Sequence, residues 1–87
     1  MKTYLLIDEN SPELAIECGS FEVKGLYAHK GQALAELEQR IDAEKEFNYL
    51  CIERIETGTE TCLTFYKNGD ENSPLWFNVK LIELEAK

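Results

Sequence analysis

The chain has 87 residues and a formal net charge of −8, with 17 Asp and Glu against nine Lys and Arg. That length allows one domain over 1–87, and an apolar fraction of 44% is too high for a disordered acidic tail. The acidic balance argues against direct binding of nucleic acid, which needs a basic face for the phosphates. No apolar run approaches the ~20 residues of a membrane span, and the one in MKTYLLID is too short for a secretion signal.

Residues 3–8 form a continuous apolar run rich in strand formers, expected as an inner strand buried on both faces. Asp8-Glu9-Asn10-Ser11-Pro12 reads as a turn or loop. Residues 14–18 admit two readings. Ser11-Pro12 before them and Gly19 after them suit one helical turn, whereas Gly19-Ser20 suits a hairpin joining two strands. The strand is slightly favoured. Residues 21–28 continue as a strand, with Phe21 and Val23 on one face, Glu22 and Lys24 on the other, and a bulge at Gly25.

Residues 30–46 carry Leu34, Leu37 and Ile41 at helical spacing among strong helix formers. They predict a helix of about four turns, stopped at Phe47-Asn48. Tyr49–Glu56 and Glu60–Lys67 follow as a hairpin centred on Thr57-Gly58. In that register Leu50 faces Phe65 and Ile52 faces Leu63 on an apolar side, and Tyr49 faces Tyr66 on the other. A polar loop over 68–74 leads to a last strand over 75–85. Its apolar phase switches after Leu81, predicting a bulge near Leu81-Ile82. The expected fold is α+β, one helix packed on a mainly antiparallel sheet of four to six strands.

The chemistry-bearing residues are few. His29 is the only histidine and the five glycines are scattered singly, which excludes a multi-histidine metal site and a phosphate-binding glycine loop. Cys18, Cys51 and Cys62 are odd in number and lack a CxxC spacing. They read as reduced thiols of a cytoplasmic protein, with Cys18 near a turn the alternative as a reactive thiol. No cofactor, no metal site and no catalytic set are expected.

Partner binding is the remaining class. Glu38, Asp42 and Glu46 recur at i, i+4, i+8 and line one helix face about 6 Å apart. Arg40 can pair with Glu36, and Lys45 with Asp42. Asp-Glu-Asn-Ser-Pro occurs twice, at 8–12 and 70–74. Shared turn chemistry explains the repeat; alternatively Asp8-Glu9 and Asp70-Glu71 form two acidic tips at one end of the sheet. Tyr49, Tyr66 and Trp76 fall on the sheet face away from the helix, where they either form a small cluster or anchor a partner.

A very short, acidic, single-domain chain with this profile resembles the small inhibitor proteins of phages and other mobile elements, of which anti-CRISPR proteins are the best-known kind. The resemblance covers size, charge and one-helix-plus-sheet character and rests on no motif. It implies a non-enzymatic protein that occupies a partner's nucleic-acid-binding or other functional surface. The expected partner is a protein with a basic surface, met by the acidic stripe and tips. A homo-oligomeric module, in its simplest form a homodimer, joined through the aromatic sheet face is the alternative.

Overall fold

The computed structural model describes residues 1–85. Five strands and two helices follow in the order β1 (Lys2–Asn10), α1 (Pro12–Cys18), β2 (Phe21–Tyr27), α2 (Lys30–Lys45), β3 (Tyr49–Glu56), β4 (Glu60–Lys67) and β5 (Trp76–Glu85). Every strand pair is antiparallel, and the order across the sheet is β2-β1-β5-β4-β3. The α+β class and the four-turn helix are as expected, with a second, short helix added.

That second helix is the correction at 14–18. Ser11 caps it, its hydroxyl accepting from the Leu14 N–H, and Pro12 occupies the first turn. Gly19, at φ 82°, ends it with its N–H on the Ala15 carbonyl. Proline has no N–H to leave unpaired there, and glycine takes the positive φ without strain. Residues 8–10 also continue β1 instead of turning.

One layer of helix covers one face of the sheet. Leu37, Leu63, Phe65 and Val79 are fully buried between them, with Ala33, Leu6, Phe77 and Leu81. Phe65 and Phe77 stack at 4.8 Å between ring centroids. α2 ends as expected: Asn48 takes a left-handed φ of 63°, and its carbonyl accepts the Asn68 N–H at the end of β4.

The β3–β4 register differs from the expected one in two ways. The turn centres on Gly58-Thr59, closed by Thr57 N–H to the Glu60 carbonyl, so Glu53 meets Thr64 and Arg54 meets Leu63. Ile52 is then an extra residue, after which Cys51 meets Phe65 and Leu50 meets Tyr66. A single-residue bulge moves the following side chains to the opposite face. Tyr49 and Cys51 therefore join the core, and Leu50 turns outward. Tyr49 meets Phe77 edge-on at 5.2 Å and lies opposite Lys67, not Tyr66.

The bulge expected in β5 is absent, since its pairing with β1 and β4 is unbroken. Ile82 and Leu84 simply point outward. The irregularity in β2 falls beside Gly25, with Lys24 as the extra residue between Gly25 and Val23. The chain is extended for its length: its radius of gyration is 13.1 Å, against about 12 Å for a compact domain of this size. The excess lies along one axis, the extents being 41 × 23 × 21 Å.

Candidate interaction surfaces

The helix side carries most of the charge. α2 presents two rows four residues apart. Glu38, Asp42 and Glu46 form an exposed row, as the spacing predicts. Glu38 meets Arg54 of β3 at 2.7 Å, and Arg54 also meets Glu56 at 2.9 Å. Those carboxylates raise the Arg54 pKa. Asp42 meets Lys45 at 3.6 Å, the expected pair. Exposed pairs of this kind contribute little stability and leave the row accessible.

The second row, Glu36, Arg40 and Glu44, faces a cleft of about 450 Å³ between α1, α2, β1 and β2. Arg40 does not pair with Glu36 as expected. Its two terminal nitrogens donate to both Asp8 oxygens at 3.0 and 2.8 Å, and its Nε meets Glu44 at 3.3 Å. Burial opposes the charge on Arg40, but hydrogen bonding and attraction to Asp8, then Glu44, outweigh it and raise its pKa. Tyr27, Tyr49 and Phe77 form apolar walls, and β2 adds Glu22 paired with Lys24 at 3.0 Å. Burial, then nearby Glu36, raises the Tyr27 pKa. Burial, then the negative potential of Cys18, Glu44 and Glu17, raises that of Tyr49.

The two Asp-Glu-Asn-Ser-Pro copies meet but do not match. Ser11, fully buried, donates its hydroxyl to the Pro74 carbonyl at 2.9 Å, and its N–H donates to the Trp76 carbonyl. The first copy is a strand end running into a helix cap; the second is a turn in which Asp70 Oδ1 accepts the Asn72 N–H. Asp8, 6% exposed and held by Arg40, is therefore no acidic tip. Glu9 is on the other face, 3.1 Å from Lys80, whose pKa it raises. Asp70 and Glu71 are exposed at the turn.

The outer sheet face, expected to carry Tyr66 and Trp76, is far more apolar than the sequence reading foresaw. Among the described residues, seven of the ten exposed large hydrophobic residues belong to its strands: Phe21, Val23 and Leu26 on β2, Leu50, Ile52 and Ile55 on β3, and Leu84 on β5, between 38% and 63% exposed. Their alternation with Glu22, Arg54 and Cys51 was the available signal; the bulge at Ile52 concealed half of it. Half-buried Tyr66 and Trp76 lie 6.5 Å apart on this face, as expected, without Tyr49. Alternation and register leave Glu9, Glu53, Glu60 and Lys80 as its charged strand residues.

Cys18 is exposed at the end of α1; Cys51 and Cys62 are half-buried, and burial raises both their pKa values. His29 precedes α2 at the N-cap position and makes no side-chain capping bond. Among the described residues no helix is long and apolar enough to cross a membrane. No protein-family model, curated protein or solved structure matches this chain.

Proposed function

We propose that this chain is a non-enzymatic, cytoplasmic protein-binding inhibitor or adaptor of the anti-CRISPR kind, which occupies a basic, nucleic-acid-binding surface of a partner complex. The observation that carries this reading is the segregation of charge. The helices and the α2 C-cap bear Glu13, Glu17, Glu36, Glu38, Asp42, Glu44 and Glu46 against Lys30, Arg40 and Lys45. A phosphate-binding surface attracts such a face at long range, giving a fast, salt-sensitive encounter.

Glu38, Asp42 and Glu46 are the first contacts in this reading, with Asp70 and Glu71 flanking. The cleft beside them suits the side chain of a partner's arginine or lysine. Tyr27 and Tyr49 would pack along its alkyl stem and Glu36 would meet its charge, since Glu22 already pairs with Lys24 at 3.0 Å and Glu44 with Arg40 at 3.3 Å. Asp8 has no part in the contact, because Arg40 already satisfies it.

The test is affinity capture from cell lysate at low and high salt, using the wild-type chain and a Glu38→Lys, Asp42→Lys, Glu46→Lys variant. The expected result is capture of a nucleic-acid-binding protein by the wild type at low salt, displaced by added DNA and lost in the folded variant. Capture that survives charge reversal contradicts the reading.

A further inference from the structure

We propose that a second copy of this chain covers the outer sheet face, giving a sheet-to-sheet dimer with the helices on both outsides. Four observations meet on this occupant.

The first is area. Five strands at ~4.8 Å spacing and about seven residues of ~3.3 Å rise present a face of roughly 24 by 23 Å. Two such faces bury about 1,100 Å² before side-chain relief is added, at the lower edge of stable protein interfaces. The second is composition. Phe21, Val23, Leu26, Ile55 and Leu84 lie more than 40% exposed on one face of a 10.0 kDa protein. That many exposed apolar side chains on one sheet face of a small chain mark an interaction surface, although Lys80 and Glu60 lie between the β2 and β3 groups.

The third is charge. The acid-bearing helices lie on the opposite side of the sheet, so stacking the outer faces keeps those like charges far apart. On the face itself Lys80 is bridged to Glu9 at 3.1 Å and also attracts Glu60, which among the described residues leaves Glu53 on the edge strand as its one carboxylate away from that lysine. Docking helix side to helix side would instead press the two acidic surfaces together. The fourth concerns the edges. Both edge strands carry a bulge, β2 at Lys24 and β3 at Ile52. Bulged edges disfavour strand-to-strand addition, which leaves the flat face as the place where a second sheet packs, ~10 Å away. Tyr66 and Trp76 then become interface rings.

Sedimentation equilibrium of the purified chain alone tests this without any partner. At about 100 μM the expected species has twice the 10.0 kDa monomer mass. A Val23→Lys, Leu26→Lys variant is expected to sediment as monomer with an unchanged circular dichroism spectrum. If that variant fails to fold, Ile55→Lys at the opposite edge is read in the same way. Glu38→Lys should leave the dimer intact. A wild-type monomer at this concentration overturns the proposal, and so does a dimer that persists in the folded face variants. Failure of partner capture with the dimer intact would count against the proposed function alone.

Discussion

The guanidinium of Arg40 reaches from α2 to the sheet and meets Asp8 with both terminal nitrogens. Side-chain exposures of 20% and 9% place this pair mostly out of water. Removing one partner leaves a largely buried charge, so Arg40→Met should cost about 3 kcal/mol of folding stability in urea unfolding. In the Asp8→Asn background the same change should cost less, and equal costs would deny the coupling. The thiols set the alkaline behaviour. Burial raises the pKa of Cys51 and Cys62 above their ordinary 9.0, so the folded chain holds those protons more tightly than the unfolded one. Their contribution is complete below that value and is lost as the pH rises through and beyond it. Tyr27 and Tyr49, raised above 10.0, extend the loss upward. The urea midpoint should therefore fall from about pH 9, and fall less in Cys51→Ala, Cys62→Ala. A midpoint that rises there contradicts the assignment.

At the scale of elements, α2 was legible because Leu34, Leu37 and Ile41 repeat at 3.6-residue spacing and Leu37 is fully buried. α1 was less so. Its seven residues are too few to show a period, and only its ends, Ser11-Pro12 and Gly19, carry the signal. Ser11 does more than cap: its buried hydroxyl also ties the start of α1 to Pro74 across the sheet end. Ser11→Ala should cost about 1–2 kcal/mol, combining a lost cap with an unpaired carbonyl, and a change within experimental error would show that water replaces it. The bulge at Ile52 had no sequence signal. Leu50, Cys51 and Ile52 are all apolar, so no polar residue marks where the phase changes, and packing of the Tyr49 ring on Phe77 accompanies the register that forms. The acidic row was readable from spacing alone. The outer face was readable in part: strand alternation puts Tyr66 and Trp76 on it, whereas Leu50 and Ile52 reach it only through the bulged register of β3.

The whole molecule is two-sided, with charge on the helices and hydrophobic side chains on the bare sheet. Net charge was plain from composition, but its segregation required the topology. Long-range attraction by the helix side has a measurable signature. An encounter driven by charge slows steeply as salt rises, while one driven by apolar contact does not. The most direct measurement is the association rate with the captured partner across a salt series, for the wild type and the Glu38→Lys, Asp42→Lys, Glu46→Lys variant. A wild-type rate that falls by an order of magnitude or more between about 50 and 200 mM salt, with a slow and nearly flat profile for the variant, is the expected result. Superimposable profiles for the two proteins would contradict docking through the acidic helix side.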